Sequence, residues 1–406
     1  MPQMLTAYRR VLGLPGAWAF SASGAVARMP ISMVGLGIVL LVSSGTGSYS
    51  LAGSVSAAYL VANGASGVFV SRLVDRVGQH RVLPVGTGLF GIGLVLLMAA
   101  AQLRWPVPVP HLCAALAGAA LPNIGACVRS RWSHLVIDKA LLQTAFAIEG
   151  VVDEAVFIVG PTLVTMLATQ VHPLAGLATA VAAAVSGTIA LVVQRRTEPP
   201  PTPKTSRAHG RGSMRWAVLG PLTGCSLTMG VLFGGSEVAT VAFSDEHGDK
   251  ALSGVMLAIW AFGSLLAGLV TGGLRITASN ATRFRWGLLT LSLLMCTLPF
   301  VGGFLALAGC LFLAGFAISP TLIASVGWVE ETVPAGRLTE GITILTTALA
   351  AGVAVGAALV GYVVDRAGAS ASYWVPALAG LCGAAIAFVT SALGSRLSSS
   401  PSGSTG

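Results

Sequence analysis

Long apolar runs, separated by short polar turns, follow one another almost from end to end of the chain. A helix that crosses a bilayer needs about 20 predominantly apolar residues. Twelve such runs occur, at approximately residues 17–42, 49–71, 82–102, 107–128, 141–169, 173–194, 216–243, 251–274, 285–303, 304–328, 338–364 and 371–393. The narrowest break separates the ninth from the tenth, which only Gly302 and Gly303 divide. The pattern predicts an all-α membrane protein with twelve transmembrane helices.

The longest polar stretch is RRTEPPPTPKTSRAHGRGSMR, residues 195–215. This basic, Pro-rich linker divides the chain into a six-helix bundle over 1–194 and a second over 216–394. A low-complexity tail, 395–406, follows and is expected to be disordered. An internal repeat supports the division. Leu116-Ala117-Gly118 with Pro122 in the fourth run matches Leu313-Ala314-Gly315 with Pro320 in the tenth, and Gly160 in the fifth matches Gly356 in the eleventh. The offsets agree, as expected of two pseudo-symmetric halves.

Composition strengthens the membrane reading. Apolar residues make up 54% of the 406, charged residues only 9%, and mean hydropathy is +0.83. A soluble protein would carry about a quarter charged residues, so most of this surface faces lipid. The net charge of +9 does not imply a nucleic-acid partner, because the basic residues lie between apolar runs and form no face. They do set orientation. Of the 23 basic residues, nineteen fall on the side of the amino terminus, three (Arg104, Lys250 and Arg366) on the other, and Arg28 within the first run. Both termini are therefore expected in the cytoplasm, with the protein in the plasma membrane. The first run is too long for a cleavable signal segment and reads as a retained helix. The cysteines all sit in apolar runs without paired or metal-type spacing and read as small buried hydrophobes.

The turn between the second and third runs reads Ser71-Arg72-Leu73-Val74-Asp75-Arg76-Val77-Gly78-Gln79-His80-Arg81. It resembles the G-x-L-x-D-R-x-G-R-[RK] signature of the major facilitator superfamily. Asp75, Arg76 and Gly78 match, Ser71 replaces the leading glycine, and Arg81 stands one place beyond the usual basic pair. An Asp with nearby Arg residues can lock helix ends by charge-assisted hydrogen bonds, so the resemblance implies a latch that breaks and re-forms during alternating access. Gly160-Pro161 resembles the core of a motif that antiporters of this superfamily carry in helix five, although Val164 and Thr165 replace its later glycines. A Pro there bends the helix. Exporters of the family usually carry an Arg in helix four, four residues before a glycine; that position here is Ala114.

Ionisable residues inside a span are costly and suggest function. Arg28 lies in the first run and Glu149, Asp153 and Glu154 in the fifth. At ~1.5 Å per residue, Arg28 is ~17 Å deep and Asp153 and Glu154 ~18–20 Å, all near the middle of the bilayer. The superfamily resemblance implies that helices one and five border the central cavity, so Arg28 is expected to pair with Asp153 or Glu154. Glu149 shares the Asp153 face, one turn away. One base against two acids at the middle leaves a surplus carboxylate, the kind of group that carries a coupling proton. A static ion pair and a site for a cationic substrate are the competing readings.

Other positions read more plainly. Glu237 is expected near the outer mouth, facing water. Glu330, Glu331, Arg337 and Glu340 cluster at the inner ends of the tenth and eleventh runs. Asp365-Arg366 with Gly368 repeats the Asp-Arg-x-Gly pattern on the outside and reads as a turn. Trp18, Trp105, Trp132, Trp216, Trp286 and Trp374 fall near span ends, where indoles anchor to the interface. Gly268/Gly272 and Gly352/Gly356 have the spacing that lets membrane helices approach closely. No phosphate-binding loop or metal-ligand motif occurs, so neither an enzyme, a cofactor nor a metal is expected. The combined expectation is a monomeric, proton-driven exporter of a small, mainly hydrophobic compound. The alternatives are an importer of a small, possibly anionic metabolite and a non-transporting sensor or partner-binding protein of the same fold.

Overall fold

The computed structural model describes residues 9–201, 216–273, 278–333 and 338–398. The expectations that fall on Arg275, Arg337, residues 202–215 and the tail from 399 lie outside them, as does the side chain of Glu340.

Eleven helices among the described residues are long and apolar enough to cross a membrane. They are span one (Ala17–Thr46), two (Tyr49–Val77), three (Gln79–Gln102), four (Pro108–Leu135), six (Ala175–Val193), seven (Trp216–Glu246) and ten (Phe304–Thr332), with five (Lys139–Met166), eight (Leu252–Gly273), eleven (Leu338–Ala367) and twelve (Trp374–Ser398). The ninth position is filled by Asn280–Met295, only 16 residues long, followed by a 3-10 turn at Leu298–Phe300. The break between spans nine and ten thus begins at Cys296, earlier than the apolar pattern implies, because Pro299 and the two glycines follow at once.

Two spans are interrupted. Span one is kinked at Met29, before Pro30, which has no backbone N–H to donate. Span four stops at Ala120 and resumes at Ile124, with the Asn123 side chain accepting from Ala126 N at the new start. Arg129 and Arg131 therefore belong to the resumed helix, Ile124–Leu135, not to a basic loop.

Spans one to six pack among themselves, as do seven to twelve. The repeated glycines make equivalent contacts in each half. A methyl at Gly118 would overlap the Tyr59 carbonyl of span two, and one at Gly315 the Trp260 carbonyl of span eight. Likewise Gly160 of span five lies on Ser32 of span one, and Gly356 of span eleven on Val231 of span seven. Gly352 abuts the Leu227 carbonyl, so the predicted small-residue stripe is the seam between spans seven and eleven.

The halves meet along two antiparallel pairs, span two with eleven and five with eight. Both pairs are tight at the end away from the basic loops. A methyl at Gly53 would overlap the Ala357 carbonyl, and one at Gly254 the Pro161 carbonyl. Toward the basic face the pairs part: Gly64 would reach only Ala350, at 3.7 Å, and Gly67 and Gly150 have open space around them. The molecule is a V, closed at the end away from the basic loops and open toward the basic face. Within the second half, a small apolar cleft of about 90 Å3 lies between Met229, Phe284, Leu322, Leu345 and Leu349.

Candidate functional site

Span five carries three carboxylates within six residues, and the fold sends them to different partners. Glu149 is fully buried. It takes an ion pair from Arg28 Nη2, with hydrogen bonds from Ser21 Oγ (2.6 Å) and Trp132 Nε1 (2.8 Å) on its other oxygen. Asp153, one turn further, lies between two guanidiniums, with Arg28 Nη1 at 2.7 Å and Arg129 Nη2 at 2.6 Å. Arg28 is held in place by Nε donating to the Gly24 carbonyl at 3.1 Å. Two acids and two bases thus balance inside the first half. Pairing of this kind is what makes mid-membrane charge tolerable.

Glu154 is not part of this network. A rotation of about 100° per residue carries it off the Asp153 face and toward the other half of the molecule. There its Oε1 accepts long hydrogen bonds from Ser319 Oγ of span ten (3.3 Å) and Ser264 Oγ of span eight (3.5 Å), whose hydroxyls are 2.9 Å from each other. Among the described residues no guanidinium or ammonium pairs with Glu154. The expected Arg28–Asp153 pair is present, whereas the alternative partner Glu154 is replaced by Glu149. The reason is register: residues 149 and 153 are four apart and share one face, and 154 does not.

Three further positions depart from the sequence reading. Arg129 supplies the span-four guanidinium that Ala114 lacks, entering below the Pro122 break. Trp132 is buried and donates to Glu149, with its ring edge-on to Phe20, centroids 4.7 Å apart. It is not an interfacial anchor, although Trp18, Trp105, Trp216, Trp286 and Trp374 are exposed at span ends. Glu237 is only partly exposed and projects across the seam, so that a methyl at Gly35 of span one would lie 3.7 Å from its Oε1.

The turn at the basic face is a single residue. Gly78, at φ 100°, links spans two and three directly, a backbone conformation that only glycine adopts readily. Asp75, Arg76 and Arg81 are exposed and Ser71 is partly buried. Gln79 and His80, which stand where the family signature has its basic pair, both make side-chain contacts. Gln79 is buried, donates to the Cys127 carbonyl at 3.1 Å and accepts from Arg131 Nε at 2.7 Å. His80 contacts Glu198 through both its backbone N–H (3.1 Å) and Nδ1 (2.9 Å). Arg131 Nη1 also donates to the Gln194 carbonyl and Thr197 Oγ1, both at 2.9 Å. The start of the linker is thereby strapped onto the first half, above a cavity of about 210 Å3 lined by Asp75, Asn123, Cys127 and Pro199–Pro201.

A family model, Major Facilitator Superfamily, matches residues 20–275 and 222–404. Among solved structures, the chain is similar to a POT family transporter in complex with a thioalcohol-conjugated peptide, with TM-score 0.74, 11% identity and coverage of 94% of this chain and 96% of that one. It is similar to the peptide transporter POT in complex with sulfate, with TM-score 0.73, 13% identity and coverage of 93% and 94%. The human organic anion transporter MFSD10 (TETRAN) gives TM-score 0.63 and 14% identity over 93% and 99%. At these identities the likeness is one of fold. No curated protein matches in sequence. With the two halves, the open V and a match that runs from residue 20 to residue 404, the chain belongs to the Major Facilitator Superfamily of membrane transporters.

Proposed function

We propose that this transporter exports a small, mainly hydrophobic compound in exchange for protons, and that Glu154 carries the proton. The observation that supports this reading is the position of Glu154. It is the one carboxylate of span five outside the Arg28–Glu149–Asp153–Arg129 network, and it spans the seam to Ser264 and Ser319. The basic face is taken as cytoplasmic on loop charge, so the V opens inward and presents Glu154 to the cytoplasm.

The chemistry required of Glu154 is modest. Ionised, it accepts from the two serine hydroxyls, and the proton it has lost leaves through the open V. Protonated on one oxygen, it is neutral and can donate to a serine while the halves slide past each other. An ionised carboxylate without a basic partner is expensive to carry through a water-excluded seam, so the closed intermediate of the empty transporter favours the neutral acid, and the proton comes in on the substrate-free leg. The static network beside it keeps spans one, four and five together throughout. The apolar cleft by Leu322 and Leu345 suits a hydrophobic solute.

The test uses the lipophilic dye ethidium, with the purified protein in vesicles. Inward-facing molecules should extrude dye only while the opposite side is more acidic. Glu154→Gln should abolish gradient-driven movement yet keep downhill dye exchange. Dye movement indifferent to the gradient, or gradient-driven extrusion by Glu154→Gln, would overturn the reading. Net dye accumulation on the cytoplasmic side would favour uptake instead.

A further inference from the structure

We propose that Asp365 is a clasp that closes the outer gate, the mirror counterpart of the Asp75 turn at the basic face. This goes beyond the assignment of Glu154, and it concerns what holds the closed end of the V shut.

The two motifs occupy corresponding places. Asp75-Arg76-Val77-Gly78 ends span two, and Asp365-Arg366-Ala367-Gly368 ends span eleven. Both helices stop on a glycine with positive φ, 100° at Gly78 and 83° at Gly368. Because the spans pack antiparallel, the carboxyl end of each lies beside the amino end of the other, on opposite faces of the molecule. The pattern that reads as a simple turn is therefore one of two ends of the same helix pair.

At the outer end the geometry is that of a clasp. The Asp365 carboxylate accepts three hydrogen bonds from the first turn of span two: Tyr49 N on Oδ1, and Ser50 N and Ser48 Oγ on Oδ2, each at 2.8 Å. The first N–H groups of a helix have no intrahelical partner, and the helix dipole favours an anion there. Ordinarily a helix recruits its own cap, and Ser48 does supply one to Leu51 N at 3.1 Å. The second carboxylate cap comes from the other half of the transporter, more than 300 residues away, so the bond crosses the gate. Arg366 does not compete for Asp365, since its guanidinium lies over the Tyr362 ring, 3.8 Å from the centroid.

Neighbouring contacts reinforce the same junction. Tyr49 OH donates to Asp245 of span seven at 2.6 Å, and Lys250 Nζ donates to Ser43 of span one at 3.1 Å and to Asp245 at 3.1 Å. Glu246 accepts from Ala369 N at 2.8 Å, which ties the Gly368 turn to span seven. Below the clasp, Gly361 lies directly against the Tyr49 carbonyl and Gly53 against that of Ala357, whereas nothing meets Gly67 near the opposite end. Of this helix pair, the clasped end is the closely packed one. An outward-open state requires these bonds to break.

The test is accessibility of single cysteines to a membrane-impermeant maleimide, in right-side-out and inside-out vesicles. Ser56→Cys reports beneath the clasp, where Ser56 is buried, and Thr346→Cys reports on the open side, where it is exposed. Asp365→Asn removes the charge and presents an N–H to donors. It should raise outside labelling of Cys at 56 by about tenfold, the effect of losing a charged hydrogen-bond partner, and lower inside labelling at 346. Tyr49→Phe, which deletes only the phenol contact, should move both rates in the same directions to a smaller extent. Unchanged rates in both variants would make Asp365 a static cap and overturn the proposal. Both rates rising together would show that Asp365 holds the fold rather than a gate, and would overturn it equally.

Discussion

Arg129 Nη2 stands 2.6 Å from Asp153 Oδ2, and this contact decides which carboxylate of span five is left over. Without it, Arg28 alone would face Glu149 and Asp153, and the surplus negative charge would lie inside the first half. With it, the Arg28–Glu149–Asp153–Arg129 network is neutral and the surplus carboxylate of span five is Glu154, on the seam. Removing Arg129 should therefore transfer proton sensitivity from Glu154 to Asp153. In Arg129→Gln, gradient-driven dye extrusion should weaken, and Glu154→Gln added to it should no longer abolish the remaining pH dependence. Equal pH profiles for Arg129→Gln and the unaltered protein would refute this division of labour.

Glu149 and Glu154 should differ sharply as contributors to stability. Glu149 is fully buried with three donors, including Arg28, and breaking a buried pair by removing one partner costs about 3–5 kcal/mol. Glu154 has only two long hydroxyl contacts, worth at most about 1 kcal/mol together once solvent exchange is counted. Thermal unfolding in detergent should show Glu149→Gln strongly destabilised and Glu154→Gln nearly unaffected. A comparable loss in both would remove the distinction between structural and functional carboxylates.

Much of this was legible in the sequence, and the misses have physical causes. The spans follow from run length alone, and Arg28 and Asp153 stood out because charge in an apolar run is rare. Helix rotation about its own axis is not written in depth, so Glu149 and Glu154 are distinguished only by whether each shares a face with Asp153. Arg129 and Arg131 fall among the loop charges and Trp132 at a span end in the apolar pattern, because the chain breaks at Leu121–Asn123 and nothing local to them announces that the helix resumes. Gln79 and His80 looked like departures from a signature, yet they carry the strap to Arg131 and Glu198. The Asp365 clasp depends on a partner in the other half, which no local pattern identifies.

Trp132 should behave as part of the ion site. Its indole donates to Glu149 Oε1 at 2.8 Å and packs on Phe20. Trp132→Phe keeps most of the ring but leaves one carboxylate oxygen with the Ser21 hydroxyl alone. The expected cost is about 1–3 kcal/mol, that of a buried charged acceptor losing a donor. Trp132→Phe combined with Glu149→Gln should cost less than the sum of the two single changes, as for residues in one network. Additive losses in thermal unfolding would mean that the two side chains act separately.

The linker strap should come undone in acid. Burial pushes the Glu198 carboxyl up, but hydrogen bonds from the His80 ring and backbone N–H, with the charge of Arg131 nearby, outweigh burial and hold it below the ordinary glutamate range. A carboxyl lowered on folding contributes stability that is fully present above its unfolded value, about 4.3, and is lost as pH falls through its lowered folded value. Docking of residues 197–201 on the first half should therefore be constant around neutrality and fail only below about pH 4. Cys127 lines the cavity that the strap covers, so its reaction with a dithiopyridine reagent, which works in acid, reports the docking. Labelling should be slow at neutral pH and accelerate in acid, and Cys127→Ala should remove the signal. Glu198→Gln should show the fast rate already at neutral pH, because its neutral amide cannot attract Arg131 and His80 as the carboxylate does. Slow labelling of Glu198→Gln at neutral pH would show that Thr197 and Gln194, through Arg131, suffice to hold the strap.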